Sequence, residues 1–386
     1  MPDTYCCLTK IGLSSQNSGH ASVCNLSRNY LHDSDNQIIR FDTHSLIDAW
    51  NSPTRKEIDE SLSNGIQHPN CQECWDEEAA GRTSKRQHYN RDLGSIPVLE
   101  NQPRVIILKP GNTCNLGCRH CDPSVSSGWY RDAYKLSESK NSYNDWIKSF
   151  QHIKESYDTT NPNFWPILDS WAQNLVYYDL FGGEPLLTPR LYQNLELSAA
   201  NGYAANQVIH INTNGTIWHD NFNKVFSKFK CVYFDISSDG INEQFEYMRY
   251  PAKWSEFQNN LQKYLELSKL YPSIFISVTV TISLYNIFDL PTIVEFYEKL
   301  GLNVSLNILH QPEYLNIRII PKYIKEYLTK ELTDNAFVSI VNFLNLDIDN
   351  HELLFKQFFK HVEKIDNIRG QNFRKIFPKL ETLLHE

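Results

Sequence analysis

No stretch of this 386-residue chain stays apolar over the length of a membrane span, and the opening MPDTYCCLTK has neither the basic start nor the apolar core of a secretory signal. Internal repeats and low-complexity tracts are missing as well, which argues against a solenoid or a disordered array. Positive charge is in short supply: 37 Lys and Arg against 45 Asp and Glu leave a formal net charge of -8. A surface of that sign is unsuited to neutralising the phosphates of duplex DNA. With 41% hydrophobic residues the chain can bury a substantial core. The expectation is a cytoplasmic globular protein with neither a membrane nor duplex DNA among its partners.

Thiols are scarce in one part of the chain and dense in another. After Cys121 the sequence runs to residue 386 with a single further cysteine, Cys231, whereas Cys6, Cys7, Cys24, Cys71, Cys74, Cys114, Cys118 and Cys121 crowd the first third. A reducing cytosol disfavours structural disulfides, so clustered thiols there point to metal binding or catalysis.

Residues 1–95 read as a small irregular unit: a hairpin from CLTKIGLS to ASVCNLS, a helical stretch at HSLIDAW interrupted by Pro53, its continuation KEIDESLSNG closed by Gly65, and a charged helix from about Asp76. Its apolar content is thin, and a bound metal would staple it. DLGSIPVLENQP reads as a linker. From Arg104 the pattern changes to short β-branched or aromatic runs alternating with helices: strands at RVIILKP, LVYYDLF, QVIHINT, CVYFDISS, IFISVTVTI and NVSLNIL, and helices such as PRLYQNLELSAANG, WSEFQNNLQKYLELSK and LPTIVEFYEKLG. Six strands with helices between them predict an α/β fold, a parallel sheet curled into a partial (β/α)6 barrel over 100–320, with chemistry at the C-terminal strand ends. Residues 137–170 form a polar excursion suited to a lid or a substrate-contact insertion, and 321–386 a helical C-terminal extension across the open edge.

The loop after the first of these strands, NTCNLGCRHCDP, carries Cys114, Cys118 and Cys121 in a CxxxCxxC spacing. Four cysteines saturate a zinc ion or an iron–sulfur cluster; three leave one metal position open. His120 lies within the loop, so a Cys3His zinc site is the structural alternative. One βα unit later FGGEP offers two glycines for close backbone approach and the carboxylate of Glu184, although a tight turn alone would account for an isolated pair. INTNG and DISSDG end the next two strands. Near the N-terminus CQECW supplies a C-x2-C pair, Cys71 and Cys74, which with thiols of the hairpin makes four donors, enough to close a zinc or an iron–sulfur site.

CxxxCxxC after the first strand, followed in order by FGGEP, INTNG and DISSDG, resembles the radical S-adenosylmethionine (SAM) superfamily. The resemblance implies that Cys114, Cys118 and Cys121 hold a 4Fe-4S cluster whose open iron takes the amino and carboxylate groups of SAM. Gly182, Gly183 and Glu184 would face the amino end of SAM, and Thr213, Asn214 and Ser237 its ribose or carboxylate. Reductive cleavage of SAM would then yield a 5'-deoxyadenosyl radical that abstracts hydrogen from a substrate, with an external donor such as flavodoxin or ferredoxin supplying the electron. Residues 1–95 resemble the twitch or SPASM auxiliary modules of this superfamily, through CCLTKIGL, ASVCNLS, AWNSPTRKEIDESLSNG and NCQECWDEEAAGRTSKR, and ILHQPEYLNIRIIPKYIK and KIDNIRGQNFRKIFPKL match the same group further on. That likeness implies a second, auxiliary 4Fe-4S cluster on Cys6, Cys24, Cys71 and Cys74, with Cys7 a spare thiol able to exchange with Cys6. Enzymes of this kind often act on peptides or proteins, which makes a peptide the first expectation for substrate and a small metabolite, nucleotide or sugar the second. A non-catalytic zinc or iron–sulfur scaffold is the alternative of another class. Cys231 opens a strand away from the rim and reads as a buried small hydrophobe; Tyr130 reads as helix packing; His310 and Gln311 follow the last strand as rim residues; and Lys85, Arg86 and His88 read as a solvated helix face.

Overall fold

The computed structural model describes residues 2–79, 81, 83–137, 139, 141–148 and 162–385. One sheet holds eight strands in the order β2-β1-β3-β4-β5-β6-β7-β8. They are β1 (Gly12–Ser15), β2 (Ala21–Ser22), β3 (Val105–Leu108), β4 (Tyr177–Leu180), β5 (Val208–Thr213), β6 (Cys231–Ser237), β7 (Ile274–Ile282) and β8 (Asn303–Ile308). The six strands expected from Arg104 onward are all present, and from β3 to β8 each is parallel to the next in chain order. Alternate residues of β4 to β8 line a single cavity. That face is therefore concave, and since β2 and β8 are the sheet's free edges, the barrel is partial.

Side-chain alternation assigns the two faces. Tyr178 and Leu180, Ile209 and Ile211, and Val232, Phe234 and Ile236 are fully buried and point to the helical layer, where Phe234 meets the rings of Phe226 and Tyr264 at 5.0 Å. The helix Trp254–Leu270 presents Trp254, Phe257, Leu261, Tyr264 and Leu267 to that core, an apolar stripe at helical spacing. The opposite positions, Asp179, His210 and Asp235 among them, face the lumen.

Residues 1–95 join this sheet. β1 runs antiparallel to β2, with Ser14 opposite Ser22, and parallel to β3, with Gly12 opposite Val105, so the N-terminal hairpin extends the barrel at its first edge. The expected first strand is shorter than its apolar alternation suggests, because Leu8–Ile11 forms a helical turn ahead of Gly12. Pro53 starts a helix rather than interrupting one: Leu46–Trp50 ends, and Pro53–Ser63 begins with proline in its first turn behind the Ser52 cap, where a missing N–H costs nothing. The charged helix expected from Asp76 is two helices, Gln72–Ala79 and Lys85–Leu93, the second opened by a Ser84/Gln87 capping box.

Residues 138, 140 and 149–161 of the 137–170 excursion lie outside the described residues. Its end is core: Phe164, Trp165 and Leu168 are fully buried, and Leu46 N donates to Asn163 O at 3.3 Å. In the tail, the helix His351–Arg369 crosses the rim. Asp366 meets Arg119 at 2.5 Å and Arg369 meets Asp132 at 2.8 Å, both partners belonging to the stretch after β3, while His361 lies 3.3 Å from Tyr314 after β8. The tail thus links the two ends of the open barrel.

Candidate active site and metal centres

The loop after β3 is anchored from below by a turn of the β6–β7 connection: Gly117 N donates to Tyr250 O at 2.7 Å and Arg119 N to Met248 O at 2.9 Å. These contacts gather the three cysteines. The thiols of Cys118 and Cys121 hydrogen-bond each other, and Cys114 is close enough for its charge to raise Cys121. Arg249 places Nη1 3.8 Å from Cys118 Sγ and Nε 2.7 Å from Asp239. The hydrogen bond from Cys121 and the Arg249 charge draw Cys118 down, whereas burial pushes Cys114 up to about 11. Two of the three thiols thus favour their protons, and a bound cation would replace them. His120 does not join the trio: its Nδ1 faces Asp239 at 3.4 Å.

The FGGEP turn presses directly on this loop. Gly182 and Gly183 are left-handed, at φ +76° and +54°. A Cβ on Gly183 would collide with the Thr113 carbonyl oxygen, and one on Gly182 with Asn17 and Lys109, so only glycine fits. Glu184 donates its N–H to Thr113 O at 2.8 Å. Its carboxylate accepts from Thr213 Oγ1 at 2.8 Å, Asn214 N at 2.7 Å and Leu186 N at 3.1 Å. Burial pushes the Glu184 carboxyl up to about 7 against those three donors. Asn214 Nδ2 in turn reaches Asn115 Oδ1 at 2.9 Å and lies 3.9 Å from Cys114 Sγ. Of the six residues expected to hold SAM, Glu184, Thr213 and Asn214 therefore brace one another beside Cys114, and Gly182 and Gly183 press on the same loop and its strand. The sixth, Ser237, ends β6 opposite Thr279, on the lumen side with Asp235.

The second set of thiols also assembles. Cys6, Cys24, Cys71 and Cys74 line one cavity together with Lys85 and Arg86. Cys7 does not line it; its N–H donates to Asn90 Oδ1 at 2.7 Å. Burial, then Cys24 and Cys74, push Cys71 up to about 12, and Cys6 is raised well above an ordinary thiol by burial and by Cys24. Thiols so placed surround a space rather than meet at a point, and among the described residues no three His, Cys, Asp or Glu side chains form a ready-made single-ion cage.

Other expectations are corrected. Arg86 is buried, with two nitrogens on Glu78 at 3.0 and 2.6 Å and a third on Tyr5 O at 2.6 Å. Lys85 reaches Asp179 at 3.4 Å. Lys85 and Arg86 thus pack inward, whereas His88 is exposed as expected. Cys231 is half-buried at the foot of β6 beside Tyr233. Tyr130 packs as expected, its hydroxyl 2.7 Å from Asn112 Nδ2. His310 is exposed, its ring 5.0 Å from that of Phe343.

Sequence reasoning missed the lumen. His210 Nδ1 lies 2.8 Å from Asp179 Oδ1, and its Nε2 lies 4.0 Å from Asp235 Oδ2. Asp179 also accepts from Tyr89 and Lys85, and Asp235 from Thr279 at 2.6 Å and Ser277 at 3.1 Å. A period-two reading of VYYDLF, VIHINT and VYFDIS would have singled these residues out, because a polar residue recurs where the outward face stays apolar.

The six parallel strands form a partial α/β barrel that carries the three-cysteine loop on the rim of β3 and the glycine–glutamate turn on the rim of β4. No protein-family model matches the chain, and no curated protein matches it. Among solved structures it is similar to anSMEcpe with bound AdoMet, at 17% identity and TM-score 0.41 over 62% of each chain. It is similar to Streptococcus suis SuiB bound to S-adenosylmethionine at 14% identity and TM-score 0.37, over 72% of this chain and 57% of that one. A third is the radical S-adenosylmethionine methyltransferase TsrM from Kitasatospora setae with cobalamin and a [4Fe-4S] cluster, at 12% identity and TM-score 0.36, over 59% and 39%. The chain thus spans 62% of the length of the anSMEcpe structure.

Proposed function

We propose that this protein is a radical SAM enzyme whose Cys114, Cys118 and Cys121 carry a 4Fe-4S cluster with one iron open to SAM. The observation that carries the reading is the three-thiol loop held by FGGEP, with His120, the donor a zinc site would recruit, turned to Asp239. When bound, such a cluster supplies the electron that cleaves SAM to methionine and a 5'-deoxyadenosyl radical. The chain's own residues do the rest. Gly182 and Gly183 open the backbone for the amino end of SAM, Glu184 and Thr213 fix that backbone, and Asn214 and Ser237 offer polar atoms at the rim. Arg249 holds positive charge against Cys118, which favours the thiolate needed as a ligand.

A second cluster on Cys6, Cys24, Cys71 and Cys74 has all four of its donors around one cavity, and so needs no external ligand. Lys85 lines both that cavity and the barrel lumen. A peptide or protein is the substrate we favour, with flavodoxin or ferredoxin as electron donor; residues 1–95, 100–320 and 321–386 act as auxiliary module, barrel and cap. The test is anaerobic reconstitution with iron and sulfide followed by reduction in the presence of SAM. The reading expects about two 4Fe-4S clusters per chain and formation of 5'-deoxyadenosine. Zinc in place of iron, with no cleavage of SAM, would support the scaffold instead.

A further inference from the structure

The lumen is a cavity of about 740 Å³ running from β4 to β8 under the helix Lys85–Leu93, a volume suited to a bound organic group. Its two deep carboxylates differ. Asp179 is compensated: Lys85 lies 3.4 Å away, and Tyr89 and His210 donate to it. Asp235 has two hydroxyl donors, Ser277 and Thr279, and no Lys or Arg within ion-pair distance among the described residues. His210 lies between the two carboxylates, with Nδ1 2.8 Å from Asp179 and Nε2 4.0 Å from Asp235, the second distance too long for a direct hydrogen bond. Asp235 is thus left with hydroxyl donors alone at hydrogen-bond distance, on a wall of the lumen with room for a cationic group. On the same strand Tyr233, 42% exposed, lines the cavity and stacks on Phe275 at 5.2 Å, an aromatic wall for an aliphatic stem or a cation. Asp235 sits two residues before the end of β6, about 7 Å below the rim.

We propose that this lumen is the recognition subsite for a basic side chain of the substrate: an ammonium or guanidinium group held by Asp235, with its stem against Tyr233. Naming the ligand a substrate rests on the radical SAM reading; the binding site itself does not. The other groups facing the cavity, Glu77, His88 and Asp92 from the helices above, do not supply Asp235 with a cation.

The experiment is calorimetric titration of the iron-loaded full chain with Ac-Gly-Lys-Gly-NH2, its arginine counterpart and its Nε-acetyl-lysine counterpart. The basic peptides should bind about tenfold tighter than the acetylated one, and Asp235→Asn should reduce that ratio to about twofold or less. Equal binding of all three, or no binding of any, overturns the proposal. If Asp235→Asn fails to fold, the three-peptide comparison on the unaltered protein still decides. Formation of 5'-deoxyadenosine from SAM is measured on the same preparation. Charge discrimination without SAM cleavage supports the cation site and overturns the enzyme reading, while cleavage without discrimination overturns the cation site alone.

Discussion

The chain builds two thiol sites in opposite ways. The N-terminal site collects four cysteines from far apart, Cys6 and Cys24 flanking the hairpin and Cys71 and Cys74 on a helical turn, around one cavity. The rim site takes three from one eight-residue loop and turns the neighbouring histidine toward Asp239. Donors drawn from distant elements tie a small unit together, so that site is suited to stability and electron passage. Donors drawn from one loop leave the surrounding strand ends free to receive something else. In the function proposed above, the fourth corner would decide between these roles: four thiols line one site and three the other.

The comparison can be broken at its strongest point by replacing Cys114, Cys118 and Cys121 together with alanine. Iron content should fall by about half and 5'-deoxyadenosine formation should vanish; retained SAM cleavage would mean that the rim site is misassigned. Next in size, Asp366→Ala removes the carboxylate that pairs Arg119 beneath the loop and accepts from Tyr247 at 2.8 Å. A buried guanidinium left without its partner should cost about 3–5 kcal/mol in denaturant unfolding of the metal-free protein. Gly183→Ala, which forces a side chain against the Thr113 carbonyl at positive φ, should cost about 1–3 kcal/mol by the same measurement. On the N-terminal side, Cys6→Ala should lose the auxiliary cluster's iron and Cys7→Ala should keep it, since only Cys6 lines the cavity.

The smallest effect concerns pH. Burial and the nearby Arg119 and Arg369 charges lower His361 to about 4. Its folded value lies below that of the unfolded chain. The stability tied to its neutral form is therefore complete above about pH 6.5 and is lost as pH falls toward 4, amounting to about 1–2 kcal/mol by pH 5. His361→Gln should flatten that part of the stability profile, measured by denaturant unfolding between pH 7 and 5.

Much of this was legible in sequence, and the exceptions share a cause. The strands from β3 to β8 announce themselves because VIIL or IFISVTVTI must be buried locally, and the cysteine spacing is a local signal too. The pairing of Gly12 with Val105, the burial of Arg86 against Glu78 and the contact of Arg119 with Asp366 each depend on segments that meet only after folding. Arg86 shows the limit most clearly. A Lys-Arg pair opening a helix reads as solvated, yet folding places the Arg86 guanidinium 4.8 Å from the ring of Trp75, a residue of the preceding helix. The lumen residues were hidden differently. Asp179, His210 and Asp235 each stand in a lumen register otherwise held by apolar or aromatic residues such as Tyr177, Val208 and Tyr233, so their strands read as continuous apolar runs.

The open corner is tested most directly by electron paramagnetic resonance of the reduced, reconstituted protein with and without SAM. The account predicts signals from two clusters, one of which changes when SAM is added and disappears in the Cys114/Cys118/Cys121 variant. A spectrum indifferent to SAM would contradict it.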